Sequence, residues 1–538
     1  MRLVHNFLET SAARLPEKTA LICGEQRLSY ADIDRQADRL AASLVDLGLR
    51  RNDRVVVFLE NSPEAVIALF GILKAGGVFV LLNPGMKAAK LNFIVNDSGA
   101  RTLITQASRL PVVAEALVEA PELATVICCG DLPVPSPALA GKGLIPWQRI
   151  IARPDAPRPR SAAIDIDLAT IIYTSGSTGE PKGVVCTHDN VVAAVESITT
   201  YLGNVESDIV LDALPLSFDY GLYQVLMSFS FGGTLVLEKS FAFPFKVCER
   251  LEAERVTGFP IVPTMVALLL QMDLTRFDLS PLRYITNTAA ALPVPYIQRL
   301  QALFPRVAIF SMYGLTECKR TLWLPPQELT RRPGSVGIAI PNEEAWVVNE
   351  AGLEAAPGEI GELVVRGRNV MQGYWNRPEE TARTFRPGRW RSETLLYTGD
   401  LFKRDAEGFL YFVARKDDLI KTRGERVSPK EIENVLCAIE GVAEAAVIGV
   451  PDPILGQAVK AFVVSAPGHR LSEELVLRHC CRHLESFMVP KVVELREALP
   501  KSPSGKIDKK ALAQADPQRR PPGLAETVSP DVSTALGI

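Results

Sequence analysis

The chain has 538 residues, of which 47% are hydrophobic and 22% charged, which excludes a disordered or fibrous protein and predicts at least two globular domains. The formal net charge of −3 argues against nucleic acid as a partner, because such binding needs a basic surface. With no apolar signal sequence at its start and no run of about 18 apolar residues, we expect a cytoplasmic protein without a membrane partner.

The predicted elements begin with a strand, a helix and a second strand between residues 53 and 82. Apolar runs at 54–59 and 77–81 flank a segment with helical spacing from Pro63 to Lys74, and such alternation is typical of α/β layers. Further apolar runs at 169–173, 233–237 and 256–261 predict more buried strands. The Pro-, Ala- and Arg-rich stretch from 131 to 163 predicts a surface loop. The predicted fold class is therefore α/β.

A smaller unit is predicted from about Arg415 onward. It contains a helix at 429–438, which Ser428 caps and Pro429 starts, and a strand at 445–450. The polar residues after Ala515 predict a mobile tail.

The nine cysteines are interpreted as reduced thiols, since no signal sequence precedes them. His479, Cys480, Cys481 and His483 suggest a metal site at first sight. However, a helix over 473–484 spreads these side chains around its axis. We therefore interpret the cluster as structural.

A phosphate-binding loop is predicted directly after the strand at 169–173. Its residues are Thr174, Ser175, Gly176, Ser177, Thr178, Gly179, Glu180, Pro181, Lys182 and Gly183. Glycines allow tight turns that expose backbone N–H groups, hydroxyls add donors, and Lys182 adds a positive charge. A Ser- and Gly-rich surface turn is the alternative. Gly183 stands where the P-loop of NTPases needs Ser or Thr, so that class is disfavoured.

Four later segments complete a set of motifs: Met312–Glu317, Tyr397–Asp400, Ala414–Glu433 and Pro500–Ile507. In this order, and together with the phosphate loop, they resemble the adenylate-forming superfamily, which includes acyl-CoA synthetases, adenylation domains of peptide synthetases and luciferases. The resemblance covers roughly Phe7 to Leu512. It implies a large multi-layer N-terminal domain with mixed sheets at 1–416, a smaller mobile α+β lid at 417–514, and a tail at 515–538.

The resemblance implies ATP and Mg²⁺ as cofactors. The phosphate loop, with Thr174, Ser175, Gly176, Ser177, Thr178, Gly179 and Lys182, would bind the phosphates. Tyr313 would lie against adenine, Thr316 would hydrogen-bond the α-phosphate as a catalytic group, and Glu317 would hold Mg²⁺, which prefers oxygen ligands. Asp400 would accept hydrogen bonds from both ribose hydroxyls, with Arg415 beside it.

The resemblance also implies two conformations of the lid. Lys506 would bridge the substrate carboxylate and the α-phosphate, where an ammonium stabilises accumulating negative charge. Asp417 would be the hinge, and Gly424 would leave space for a pantetheine arm in the second half-reaction. Ala414 departs from the family's usual glycine, which affects the local turn but removes no functional group. The alternatives are a solvated lysine and a plain turn before the helix.

The segment from 214 to 222 is implied to line the acid pocket. It contains Phe218, Asp219 and Tyr220, and Ala289 and Ala290 would add apolar lining. Amino-acid-activating relatives carry Phe-Asp here, with the Asp pairing the substrate ammonium, and an unpaired buried carboxylate is costly. We therefore predict a small or cyclic apolar amino acid. Alternatively, Asp219 turns outward, and the Tyr-Gly-Leu that follows resembles aryl-CoA ligases.

The predicted reaction is ATP-dependent adenylation of a carboxylic acid, followed by transfer to the phosphopantetheine thiol of a carrier protein. The alternative acceptor is free CoA, as in acyl-CoA or aryl-CoA ligases. An enzyme that stops at the adenylate is disfavoured by the intact segment around Gly424. A non-catalytic nucleotide-binding regulator is a more distant alternative, because Lys182, Glu317, Asp400 and Lys506 are all present.

Overall fold

The computed structural model describes residues 2–131, 139, 141–155, 163–175, 181–288, 290, 292–390, 393–416, 418–422, 425–452, 455–502 and 505–515. The chain divides after Lys416 into two compact units. Gly505 and Lys506 belong to the larger unit, although a boundary drawn along the sequence assigns them to the smaller one. The predicted tail lies outside the described residues, except for Ala515.

Helices are numbered in chain order over the described residues. The α-helices α1 to α15 are Asn6–Arg14, Tyr30–Asp46, Pro63–Lys74, Ala88–Ser98, Leu110–Ala116, Trp147–Ile151, His188–Leu202, Asp219–Phe231, Pro244–Ala253, Pro263–Leu269, Val294–Leu303, Pro378–Thr384, Pro429–Cys437, Glu473–His483 and Lys509–Gln514. In the part of the chain that the structure describes, no helix combines the length and apolar character needed to cross a membrane.

Strands are numbered in the same way. Strands β1 to β27 are Thr19–Cys23, Gln26–Ser29, Arg54–Phe58, Val78–Leu81, Thr102–Gln106, Thr125–Cys129, Gly143–Pro146, Leu168–Ser175, Pro181–Thr187, Ile209–Asp212, Thr234–Leu237, Gly258–Ile261, Tyr284–Asn287, Ala308–Tyr313, Leu322–Trp323, Ile338–Ala339, Glu343–Val348, Gly361–Gly367, Gly373–Tyr374, Phe385–Pro387, Thr394–Arg404, Leu410–Arg415, Ile420–Thr422, Glu425–Val427, Val442–Asp452, Gly456–Ser465 and Val492–Arg496.

Three sheets build the larger unit. The first has the order β16-β15-β14-β13-β12-β10-β11-β1-β2, with parallel pairing from β14 through β1. The second has the order β19-β9-β8-β4-β3-β5-β6-β7. The third is antiparallel, with the order β17-β18-β21-β20 and with β22 paired to β21. The predicted α/β class with mixed sheets is thus confirmed.

Two helices that are apolar on nearly all sides lie in the interior of the larger unit. Almost every residue of α3 and of α8 is buried, as expected for helices without a polar face. Their rings meet where Phe70 lies 5.0 Å from Phe229. The ammonium of Lys74, which ends α3, is buried and pairs with Asp34 and Asp38 of α2 at 2.5 and 2.7 Å. Helix α8, which begins at Asp219, is therefore buried in the core along most of its length.

The smaller unit is one sheet covered on both faces. Its strand order is β24-β23-β26-β25, with β27 beside β26. Along β25, Ala445 and Val447 belong to the cluster that contains α13 and α14, whereas Ala446 and Ile448 belong to the cluster that contains α15. Successive side chains of β25 thus point to opposite faces of the sheet, as expected for a β-strand.

Three local predictions differ from the structure. The stretch 131–163 is not wholly a loop, since it contains the edge strand β7 and the helix α6, whose Trp147 and Ile150 are buried. Ser428 does precede α13, but its side chain makes no capping hydrogen bond. Strand β8 continues two residues beyond Tyr173.

Candidate functional site

The predicted phosphate loop joins two antiparallel strands of the second sheet. Strands β8 and β9 pair with Thr174 opposite Lys182 and Ser175 opposite Pro181. Gly176, Ser177, Thr178 and Gly179 lie outside the described residues, as does the side chain of Ser175. The loop is thus anchored by a paired hairpin, and Lys182 lies at its base.

Lys182 is held by residues far away in the chain. Its ammonium pairs with Glu380 at 3.0 Å and lies 5.7 Å from the ring centroid of Tyr374. Tyr374 belongs to β19, which pairs with β9, and its hydroxyl donates to Glu317 Oε1 at 2.8 Å. Burial, followed by the charge of Glu317, raises the pKa of Tyr374. Lys182 and Glu317 thus both contact the side chain of Tyr374.

The loop that carries Thr316 and Glu317 is tight. A Cβ on Gly314 would come within 2.0 Å of the Lys319 carbonyl oxygen, so only glycine fits there. Lys319 itself adopts a positive φ of 70° and is buried. Its ammonium donates to Thr316 O at 2.5 Å and to Cys186 Sγ at 3.0 Å. A buried lysine thus supports the backbone of the loop.

Glu317 is the residue that could hold a magnesium ion. One carboxylate oxygen accepts from Tyr374, which leaves the second available as a ligand. Among the described residues, no group of three His, Cys, Asp or Glu side chains could hold a metal. A single carboxylate such as that of Glu317 suits Mg²⁺, which is commonly bound by one or two carboxylates together with substrate phosphates.

Asp400 forms the centre of a second cluster. It lies opposite Arg415 in the pairing of β21 with β22, and Arg415 Nε lies 3.4 Å from its Oδ1. The hydroxyl of Tyr313 donates to its Oδ2 at 2.7 Å. The ring of Tyr313 packs edge-to-face on Phe402 at 4.8 Å and roughly parallel to Phe412 at 6.2 Å. Asp400 is only 3% exposed, and its two partners therefore stabilise the buried charge of its carboxylate.

Lys506 lies within the larger unit beside the start of α8. Its ammonium is 5.7 Å from the ring centroid of Phe218. Burial lowers the pKa of Lys506, while the carboxylates of Asp219, Asp400 and Glu317 act in the opposite direction. One lysine therefore lies within the electrostatic reach of acidic residues from three separate motifs.

The predicted acid-binding residues begin α8. Asp219 is the first residue of the helix and is 6% exposed, and it makes no hydrogen bond to any described residue through its carboxylate. Tyr220 is buried, and its hydroxyl contacts both Thr286 O and Thr286 Oγ1 at 2.7 Å. Ala290 is exposed, and Ala289 lies outside the described residues.

Asn61 is a supporting residue that sequence analysis missed. Its amide nitrogen donates to Leu214 O at 2.8 Å and to Glu238 O at 2.9 Å, and its amide oxygen accepts from Leu216 N at 3.0 Å. Asn61 thereby holds the segment that precedes Phe218. About 150 residues separate the partners in the chain, so no local pattern could reveal the contact.

The predicted hinge Asp417 and the predicted tunnel residue Gly424 both lie outside the described residues. Strands β23 and β24, which flank Gly424, pair with Thr422 opposite Glu425.

Comparison with known proteins identifies the family. Residues 8–375 match the model for the AMP-binding enzyme, and residues 431–506 match the model for the AMP-binding enzyme C-terminal domain. The chain belongs to the AMP-binding enzyme family, within the adenylate-forming superfamily that the motifs resemble.

Three similar proteins illustrate the range of the family. A long-chain-fatty-acid–CoA ligase of Bacillus subtilis is 32% identical, over 96% of this chain and 95% of that protein. Tyrocidine synthase 3 of Brevibacillus parabrevis is 31% identical over 99% of this chain, which spans only 8% of that protein. The crystal structure of the anthranilate CoA ligase AuaEII with anthranoyl-AMP has a TM-score of 0.86 and 28% identity, over 96% of this chain and 97% of that one.

Proposed function

We propose that this protein is an AMP-forming acid–thiol ligase that joins a carboxylic acid to free CoA. The observation that carries the proposal is the position of Lys506. It lies beside Phe218 and within reach of Asp400 and Glu317, so one cation faces the proposed acid, ribose and metal positions together.

In the first step, a carboxylate oxygen of the acid attacks the α-phosphorus of ATP. An O–P bond forms, the bond to the β-phosphate oxygen breaks, and pyrophosphate leaves. The ammonium of Lys506 stabilises the negative charge that gathers between the carboxylate and the α-phosphate. Mg²⁺ held by Glu317 would neutralise the leaving phosphates, and Asp400 would bind the ribose.

In the second step, the CoA thiol loses its proton and attacks the acyl carbon of the adenylate. A C–S bond forms, the C–O bond to the phosphate breaks, and AMP leaves with the electron pair. Gly424 is the residue proposed to leave room for the pantetheine arm, with Asp417 as the hinge.

Free CoA is preferred here to the carrier protein that the sequence favours. Two of the three similar proteins are named as CoA ligases. The argument for a substrate ammonium also weakens. Asp219 begins a helix, where the aligned peptide dipoles stabilise a carboxylate, and its charge acts on Lys506. Asp219 therefore has stabilising neighbours without a cationic substrate, and an acyl or aryl acid becomes the better proposal.

The test supplies ATP, Mg²⁺ and CoA with matched acids: fatty, aryl, and amino acids beside their deaminated analogues. Pyrophosphate release and loss of free CoA thiol are measured together. We expect both to depend on the same added acid. If pyrophosphate is released without loss of the CoA thiol, and a carrier protein is loaded instead, the result would favour the carrier protein as acceptor. Nucleotide binding without release for any acid would favour the regulator.

A further inference from the structure

Among the described residues, one buried cation near the proposed acid site has no acidic partner. Arg320 follows the loop of Thr316 and Glu317 and is 2% exposed. Its guanidinium carbon lies 4.5 Å from the ring centroid of Tyr220. Of the residues that the structure describes, Nη1 reaches only the backbone oxygen of Lys319, at 3.4 Å, and none forms a hydrogen bond with the buried Nε.

The other buried arginine of the described chain shows the usual arrangement. Arg332 is 5% exposed and ion-pairs with Glu328, Asp405 and Glu407. In contrast, no carboxylate of a described residue forms an ion pair with Arg320. A buried charge without a counterion is costly, so this arginine calls for an anion from elsewhere.

A buried carboxylate beside this segment, that of Glu343, forms no ion pair with Arg320. Glu343 is held by the side chains of Asn369 and Thr321, and burial raises its pKa well above the usual range. The neighbouring Lys319 is also buried and has no ion pair among the described residues, so Lys319 and Arg320 are two adjacent buried cations without a described carboxylate partner.

A chain of contacts connects Arg320 to the proposed acid site. The ring of Tyr220, which Arg320 covers, lies 6.3 Å from the ring of Phe218. The ring of Phe218 in turn lies 5.7 Å from the ammonium of Lys506. Two cations thus stand at the ends of a row of two aromatic rings. On the same face of α8 as Tyr220, the buried hydroxyl of Tyr223 has no partner in the described part of the chain and can donate a hydrogen bond.

We propose that Arg320 binds a second carboxylate of the acid substrate, so that the preferred substrate is a dicarboxylic acid. The reacting carboxylate lies at Lys506, and the distal one forms charge-assisted hydrogen bonds with the guanidinium. This inference rests on the proposed function, because it names the class of acid that the same site takes.

The experiment compares each dicarboxylic acid with the monoacid that lacks only the second carboxylate: adipate with hexanoate, and isophthalate with benzoate. AMP formation with CoA is measured for the wild type, Arg320→Met and Arg299→Met. Arg299 is the control, since it also donates to a backbone oxygen, that of Leu270, without a described carboxylate partner, but is exposed. Circular dichroism and thermal unfolding check that each variant is folded.

The wild type is expected to prefer the diacid of at least one pair by about 10- to 100-fold in kcat/KM, because a buried group left unpaired penalises the wrong substrate. Arg320→Met should reverse this preference, and Arg299→Met should keep it. A wild type that prefers both monoacids overturns the proposal, and this outcome needs no variant to fold. An equal loss for both acids, or a change in KM for ATP alone, assigns Arg320 to the core or to the nucleotide and also overturns it.

Calorimetric titration of the two acid pairs, with AMP present, separates this inference from the proposed function. If no acid supports AMP formation, the ligase proposal fails, while tighter binding of a diacid to the wild type than to Arg320→Met still supports the second carboxylate site. Equal binding to both proteins contradicts it.

Discussion

Two regions of the larger unit treat their charges differently. In the proposed nucleotide region, formed by Lys182, Tyr313, Glu317, Asp400 and Arg415, each charged group already has a partner within the chain. In the proposed acid region, formed by Phe218, Asp219, Tyr220 and Arg320, the arginine has no carboxylate partner among the residues described. Paired groups keep their geometry without a ligand. Replacing one of them should therefore weaken binding, whereas replacing an unpaired group should change which ligand is chosen.

Lys506 stands between the two regions, and its loss should produce the largest effect. Lys506→Ala is expected to slow acid-dependent pyrophosphate exchange by about 10²- to 10³-fold or more, because a charge-stabilising group is removed from the reacting centre. Thioester formation from a presupplied acyl adenylate should be largely retained.

Lys501→Ala is the control for Lys506→Ala, since Lys501 lies in the same segment but pairs with Glu444 at 2.6 Å. Equal losses in both half-reactions of folded Lys506→Ala protein would contradict a role restricted to adenylation.

Asp400→Asn tests the nucleotide region. The amide keeps the shape but loses one acceptor and the charge that Arg415 and Tyr313 face, so kcat/KM for ATP should fall by about 10- to 100-fold, the worth of a hydrogen bond to a charged group. The ratio of rates with two competing acids should stay constant. A changed acid preference would contradict the assignment of Asp400 to nucleotide binding alone.

Tyr313→Phe should have a smaller effect, because only the hydroxyl that orients Asp400 is lost. We expect kcat/KM for ATP to fall about tenfold or less. In a double-mutant cycle with Asp400→Asn, the two losses should combine to less than their sum, because the residues share one hydrogen bond. Additive losses would show that Tyr313 acts on the nucleotide independently of Asp400.

Asp219→Asn should cause the smallest effect near neutral pH, at most about threefold, and a change in the pH profile. Burial lowers the pKa of Lys506, and the charge of Asp219 counteracts this. Because the proposed mechanism uses Lys506 in its charged form, adenylation should fail as pH rises through the pKa of Lys506. Removing the charge of Asp219 lowers that pKa further, so the alkaline decline should move to lower pH.

The exposed Asp155→Asn is the control for this pH profile, because Asp155 pairs with Arg39 at the surface. An unmoved profile in Asp219→Asn would show that Asp219 does not act on Lys506.

Sequence reasoning succeeded where the determinants are local. The helix predicted from Pro63 to Lys74 has those bounds in the structure, because its apolar spacing and its proline at the first position are read directly from the chain. The motifs likewise identified the family. In contrast, the stretch 131–163 misled, since its composition is that of a loop while Trp147 and Ile150 provide just enough apolar surface for a short helix.

The partners of the site residues could not be predicted. Glu380 and Tyr374 approach Lys182, Asn61 holds the segment at Leu214, and Arg320 covers Tyr220. Each contact depends on tertiary packing between distant elements, about which the spacing of residues along the chain says nothing. The sequence predicts a substrate ammonium as the partner of Asp219, but it does not show that the ammonium of Lys506 lies within electrostatic reach of this carboxylate.

The hairpin of β8 and β9 has a consequence for the order of events during synthesis. Its neighbour β19 and the counterion Glu380 follow about 200 residues later in the chain, which at about 5–20 residues per second is a delay of about 10–40 s on the ribosome. During that interval Lys182 and the edge of β9 lack their partners, although the strands before them are complete. The nascent chain therefore exposes an unpaired strand edge beside the predicted phosphate loop, and this edge is where a chaperone would protect it from aggregation.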